Sequence, residues 1–290
     1  MNAAWLDGKI VEANAPGIAL TDHGLLFGAS FFETFRTTQR KPGFILRHLR
    51  RLENSCNTIG IHLADTLLGH GARYAWDGVL GPLLDANGLD DAVIRYTVTA
   101  GPAEGGPGSA HYLQPHEFLL VRPLPPPADR ITLHLLEGRR TGGEWHPRPK
   151  SGNYLNSLIR AQEFAKRGDV TSGDEALVLN SHGEITEGVF SSVFWLRDGV
   201  WSTPRLETGA LPGVGREVTI EAAKRLGFAV HEVAQGFEAI CQATAVFITS
   251  SVRGIVPVSR IIDTAGIIVW NAGKPISALT ELIEEFEKLR

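Results

Sequence analysis

Cysteine is nearly absent. Cys56 and Cys241 are the only two in 290 residues, too few for a disulfide framework and without the paired spacing of a zinc site, so no metal is expected. A basic surplus is missing as well: 28 Lys+Arg stand against 32 Asp+Glu, a formal net charge of −4, which argues against a nucleic-acid scaffold. Long apolar runs are lacking too. Asp7, Lys9, Glu12 and Asn14 interrupt the first twenty residues and break any signal-peptide core, and no later stretch is long enough to span a bilayer. These absences predict a soluble cytoplasmic protein with neither a membrane nor a nucleic-acid partner. What is present is ordinary for a folded chain, 43% hydrophobic and 21% charged, and the length favours two lobes over one.

Local patterns predict a mixture of strands and helices. Trp5-Leu6-Asp7-Gly8-Lys9-Ile10-Val11 reads as a hairpin about an Asp-Gly turn. Ile45, Leu46, Leu49, Leu52, Cys56 and Ile59 recur at helical spacing, with Gly60 placed to cap the helix. Residues 92–99 alternate as a strand, with Arg95 and Thr97 on one face and Ile94, Tyr96 and Val98 on the other. The run Val-Arg-Pro-Leu-Pro-Pro-Pro-Ala-Asp-Arg at 121–130 reads as a linker, because its prolines cannot donate ladder hydrogen bonds. Beyond it come strands near 131–136, 176–179, 191–196 and 245–249, and helices near 155–167 and 215–226. A terminal helix carries Ile276, Leu279, Ile283 and Phe286 on one face. The expected organisation is a lobe at 1–120, the linker at 121–130 and a second lobe at 131–290, in a mixed α/β (α+β) fold.

Several residues could carry chemistry. Lys150, in Pro-Arg-Pro-Lys-Ser-Gly-Asn-Tyr, lies at an element boundary just before a helix. An ordinary lysine there is a solvated charge, whereas a partly desolvated one becomes a nucleophile for aldehydes. Tyr154 would follow one turn later if the helix has begun. Glu187, between Thr186 and Gly188 at the start of an apolar strand, is either a strand-end acid in water or a buried carboxylate that needs a cation, such as a protonated pyridine nitrogen. Gly209-Ala210-Leu211-Pro212-Gly213-Val214-Gly215-Arg216 runs into a helix N-terminus and could cup a phosphate or simply enter the helix. It is not a dinucleotide fingerprint, since Val218 stands where the third glycine belongs. Thr249-Ser250-Ser251 clusters hydroxyls that could be phosphate donors or turn residues. Arg51, beside an apolar stripe, is either solvated or able to fork onto a phosphate. An aldehyde, a pyridine nitrogen and a phosphate on one ligand describe pyridoxal phosphate.

The motifs resemble the fold-type-IV pyridoxal-phosphate enzymes, a family of branched-chain aminotransferases, D-amino-acid aminotransferases and 4-amino-4-deoxychorismate lyases. The likeness runs through Trp5-Leu6-Asp7-Gly8, Thr21 to Gly28, Phe32-Glu33-Thr34-Phe35-Arg36, His48-Leu49-Arg50-Arg51-Leu52, Lys150 to Leu155, Ile185-Thr186-Glu187-Gly188, Leu211 to Arg216 and Val256-Pro257-Val258. It implies two α/β lobes holding pyridoxal 5′-phosphate, usually in a homodimer. It makes Lys150 the Schiff-base lysine and Glu187 the partner of the pyridine nitrogen. Arg51 becomes a phosphate ligand, Tyr154 the partner of the phenolic oxygen, Val214 and Gly215 the backbone cup, and Ser251 a phosphate hydroxyl.

Within the family, the segments at 174–179 and 201–209, together with Asp22-His23-Gly24, look most like the lyases. The chain departs from the usual pattern at Gly28-Ala29-Ser30, at Ser192 and at Ser250, where the last two replace an asparagine. The loop Gly105-Gly106-Pro107-Gly108 lacks an arginine that some members use on substrate carboxylate, and Arg95, with Thr34 and Ser250, is the expected substitute among substrate-binding residues; a buried ion pair is the other reading of Arg95. The implied activity is a lyase acting on a small amine and releasing pyruvate. A transaminase is the alternative, and a non-catalytic protein on the same fold the third.

Overall fold

The computed structural model describes residues 2–15, 17–69, 76–106, 108, 111–141 and 145–290. Pro107 of the loop noted above therefore lies outside the described residues. The chain forms two compact units, Met1–Pro125 with Lys150–Asn153, and Pro126–Pro149 with Tyr154–Arg290. Lys150, expected with the second lobe, thus packs with the first. The stretch read as a linker is part strand, since residues 121–123 finish a strand and the units part at Pro125.

In unit 1 the strands are β1 (Ala3–Leu6), β2 (Lys9–Glu12), β3 (Ser30–Thr38), β4 (Lys41–Pro42), β5 (Ala92–Thr99) and β6 (Glu117–Pro123). The helices are α1 (His23–Phe27), α2 (Ile45–Asn57) and α3 (Trp76–Asn87). The sheet order is β2-β1-β6-β5-β3-β4, with every pairing antiparallel. Asp7 and Gly8 both take positive φ in the first hairpin, the conformation that an Asp-Gly turn supplies at little cost. Alternation gives each strand two unlike faces. Phe31, Phe35, Ile94, Tyr96 and Val98 join the core with Leu49, Leu52 and Cys56 of α2 and Leu80, Leu83 and Leu84 of α3. Phe32 and Arg95 point to the opposite face. The regular part of α2 ends at Asn57, and Gly60 caps it as expected, with φ 73° and with Gly60 N donating to Asn57 O and Ile61 N to Cys56 O, both at 3.2 Å. Leu46 and Ile59 stay exposed, because the buried stripe runs through His48, Leu49, Leu52, Ser55 and Cys56.

Unit 2 contains β7 (Ile131–Arg140), β8 (Glu175–Asn180), β9 (Ile185–Gly188), β10 (Ser192–Arg197), β11 (Val200–Pro204), β12 (Val230–Val233), β13 (Ala245–Ser250), β14 (Gly254–Ile262) and β15 (Ile268–Asn271). Its helices are α4 (Leu155–Ala165), α5 (Val214–Arg225), α6 (Phe237–Cys241) and α7 (Ser277–Lys288). The order is β12-β11-β10-β13-β14-β7-β8-β9, with β15 on β14. Parallel pairs at β11/β12, β14/β7 and β7/β8 make this a mixed sheet. Leu133, Leu177, Val193, Trp195, Ile248 and Ile261 form the centre of its core. α7 anchors through Leu282 and Phe286; Leu282 lay outside the expected face, and Ile276 precedes the helix. No helix among the described residues is long and apolar enough to cross a membrane.

Candidate active site

In unit 1, Lys150 is fixed by backbone pairing. Phe32 N donates to Lys150 O at 3.0 Å and Gly152 N to Ser30 O at 2.7 Å, with a bridge between Phe31 and Ser151. The segment is therefore extended and lies along the first half of β3, while β4 pairs with its far end. Helix α4 begins only at Leu155, so the one-turn relation expected for Lys150 and Tyr154 does not form; Tyr154 is the residue that precedes the helix. Lys150 Nζ lies 4.6 Å from the centroid of the Phe32 ring, and Arg95 Cζ lies 3.5 Å from the same centroid. Thr34 stands directly opposite Arg95 in the β3/β5 register. Lys150, Arg95 and Thr34 therefore share the face turned away from the unit 1 core.

Arg51 is engaged on the other side of β3. Its Nε donates to Glu33 Oε1 at 2.7 Å and its Nη2 to Glu33 Oε2 at 2.6 Å, while His48 Nδ1 lies 2.6 Å from Oε2. Glu33 is fully buried. Burial alone would raise its pKa, but Arg51 and His48 outweigh that and hold the carboxyl down at about 2. Burial first, offset in part by Glu33, pushes His48 below its ordinary value. Nε and Nη2 of the guanidinium assigned to a phosphate by resemblance are thus engaged by a buried acid. Sequence reading missed Glu33, although an acid inside an apolar strand fifteen residues before a histidine and eighteen before an arginine was the available signal.

In unit 2, Glu187 lies inside the short strand β9, before the bend that precedes β10, rather than at the start of the apolar strand. It is buried, and Oε1 meets Arg140 Nη2 at 2.8 Å and the Arg148 guanidinium. Neither arginine was anticipated. Burial pushes the pKa of Arg140 down, with Glu187 opposing. Glu187 Oε2 accepts a 2.8 Å bond from Leu211 N, which ties the carboxylate to the glycine loop that leads into α5.

That loop enters α5 at Gly213, with no side-chain cap on the helix. A Cβ on Gly215 would stand 2.9 Å from the Ser250 Cα and carbonyl carbon, and one on Gly213 would stand 2.9 Å from Ser192 Oγ. The start of α5 is therefore pressed against the end of β13, where Gly215 sits next to Ser250. Ser250 Oγ accepts from Arg253 N at 3.1 Å, a turn role, and Thr249 Oγ1 lies 3.3 Å from Thr219 Oγ1. Ser251 is buried.

The model of the amino-transferase class IV family matches residues 30–261, and the chain belongs to this family. It is 30% identical over 261 residues to the aminodeoxychorismate lyase of Bacillus subtilis, covering 89% of this chain and 86% of that one. It is 31% identical over 290 residues to a Methanocaldococcus jannaschii protein provisionally named a branched-chain-amino-acid aminotransferase, covering 99% and 96%. The crystal structure of 4-amino-4-deoxychorismate lyase from Pseudomonas aeruginosa superposes with a TM-score of 0.76 at 26% identity, covering 98% and 97%. The fold is that of the fold-type-IV enzymes, and the family uses pyridoxal 5′-phosphate. The residues present fit that cofactor. Glu187 is a buried carboxylate of the kind a pyridinium nitrogen needs, and the buried Nε of Arg140 makes no hydrogen bond. The glycine at 215 leaves backbone where a side chain would intrude.

Proposed function

We propose that this chain is a 4-amino-4-deoxychorismate lyase that releases pyruvate and leaves 4-aminobenzoate. The observation that carries this reading is that Lys150 and Arg95 both lie over the ring of Phe32, a base and a cation able to bind carboxylate on one strand face, together with the lyase likeness in sequence and fold. Pyridoxal phosphate, when bound, supplies an aldehyde for the substrate amine and a protonated pyridine ring as electron sink. Lys150 Nζ then removes the proton from the amine-bearing carbon. Glu187 holds the proton on the ring nitrogen, with Arg140 and Arg148 fixing its carboxylate. Arg51, the N–H groups of Val214 and Gly215, and the Ser251 hydroxyl bind the phosphate. Tyr154 bonds the phenolic oxygen, and Arg95, Thr34 and Ser250 receive the substrate. The protein acts as a cytoplasmic homodimer.

A transaminase is the second reading, favoured by the 31% identity to the M. jannaschii protein over the whole chain. There the same lysine would return the proton to the cofactor carbon. Incubation of the holoprotein with 4-amino-4-deoxychorismate, and separately with L- and D-amino acids plus 2-oxoglutarate, separates the two. Pyruvate with 4-aminobenzoate is the expected product, and new keto acid from an amino acid alone would replace the lyase by the transaminase.

A further inference from the structure

Strand β5 carries a threonine that the roles above do not use. Thr97 is 4% exposed and its Oγ1 has no hydrogen-bond partner. Every other buried threonine among the described residues has one. Thr99 donates to Asp22 Oδ2 at 2.6 Å and Thr37 accepts from Ala92 N at 2.9 Å. Thr66, Thr186, Thr203, Thr208 and Thr219 donate to backbone carbonyls, Thr132 accepts from Arg260 and Thr249 meets Thr219. A buried hydroxyl left unpaired is unfavourable. Valine, of the same shape, already occupies this strand face at Val93, four residues before Thr97.

The position of Thr97 says what its hydroxyl is for. Alternation along β5 puts Thr97 on the face of Arg95, opposite to Ile94, Tyr96 and Val98 of the core. In the register, Thr97 stands directly across from Phe32, and Arg95 directly across from Thr34. These four residues form a two-by-two patch, and the ring of Phe32 also carries Lys150 Nζ 4.6 Å from its centroid. On β6 the same face continues with Phe118 and Leu120, and none of the β3, β5 or β6 positions on this face is acidic. Two cations, two hydroxyls and apolar side chains on one strand face are the groups that recognition of an anion with a hydrophobic body calls for.

We infer that Thr97 is a substrate-binding residue whose hydroxyl, beside the Arg95 guanidinium and Thr34, donates to the carboxylate of the amine substrate on the Lys150 face. This rests on the proposed assignment of Lys150 and Arg95 to the reacting site. Sequence alternation had placed Thr97 on the same strand face as Arg95, but its missing partner is visible only in the folded chain.

The test uses the holoenzyme with Thr97→Val, which keeps the shape, and Thr97→Ser, which keeps the hydroxyl. For the substrate that the parent turns over, Thr97→Val should raise KM about tenfold with kcat changed little, and Thr97→Ser should stay close to the parent. Binding of 4-aminobenzoate and 4-methylvalerate, followed through the cofactor absorbance, should weaken about tenfold in Thr97→Val, whereas their uncharged amides should bind parent and variant alike. Equal carboxylate binding and KM in parent and Thr97→Val would overturn the inference. A parent that takes up no pyridoxal phosphate would instead remove the underlying functional reading, and Thr97 with it.

Discussion

Arg51 grips Glu33 through two hydrogen bonds of 2.7 and 2.6 Å, and His48 Nδ1 meets the same carboxylate at Oε2, 2.6 Å away. The carboxylate that receives them is buried, so the arginine most exposed to a phosphate role is also part of the framework of unit 1. A guanidinium held in this way is oriented before any ligand arrives, which lowers the ordering cost of binding one.

The first expected outcome is a pH dependence of stability. The Glu33 carboxyl is held at about 2 instead of the ordinary 4.5. A depressed acid contributes stability that is complete above the unfolded value and is lost as pH falls through the folded one. Denaturant unfolding of the parent should therefore weaken between about pH 4.5 and pH 2, by on the order of 3 kcal/mol from this group. Glu33→Gln should be less stable at pH 7 and lack that part of the slope. Parallel profiles for parent and variant would mean that the cluster contributes nothing.

Arg51→Ala should weaken cofactor affinity by about ten- to a hundredfold, with excess pyridoxal phosphate restoring much of the activity, because a charge-assisted bond is worth roughly 1.5–3 kcal/mol. The single variant also strands Glu33 in the interior. Arg51→Ala combined with Glu33→Gln removes that penalty and should keep the affinity loss. Recovery of the parent affinity in the double variant would assign Arg51 to folding alone.

How far the sequence could be read depended on the range of the interactions. The Asp7-Gly8 hairpin and the strand at 92–99 were legible because turn chemistry and alternation are local. Lys150, Glu187 and the loop at 209–216 were legible as motifs. The attachment of Lys150 to β3, over a hundred residues away, was not, nor was the meeting of Glu187 with Arg140 and Arg148, since neither arginine carries a periodic signal. The bend at 189–191 that separates β9 from β10 was hidden for a different reason. Residues 189–196 are apolar except for Ser191 and Ser192, and a serine pair inside a strand-like run does not by itself mark a break.

Glu187→Gln should still bind cofactor through the phosphate but turn over at least about a hundredfold more slowly, since an amide cannot hold a proton on the pyridine nitrogen. The Leu211 N–H bond to this side chain can persist with the amide oxygen, so the glycine loop should stay in place. Unchanged turnover would make Glu187 a structural anchor for the two arginines.

Gly215→Ala should lose cofactor affinity in an absorbance titration without loss of unit 2 folding. The added Cβ would meet the Ser250 backbone at 2.9 Å, which cannot give way as a flexible side chain would, and the helix start must shift. An alanine variant with parent affinity would show that the start of α5 does not hold the phosphate.

The central claim is that the chemistry runs through Lys150. Borohydride reduction of the holoprotein, followed by proteolysis and mass spectrometry, tests it most directly. The reduced cofactor is expected on the peptide containing Lys150, and Lys150→Ala should lose both the label and the visible absorbance. Label on a different lysine, or a Lys150→Ala variant that keeps the chromophore and turns over, would contradict the account.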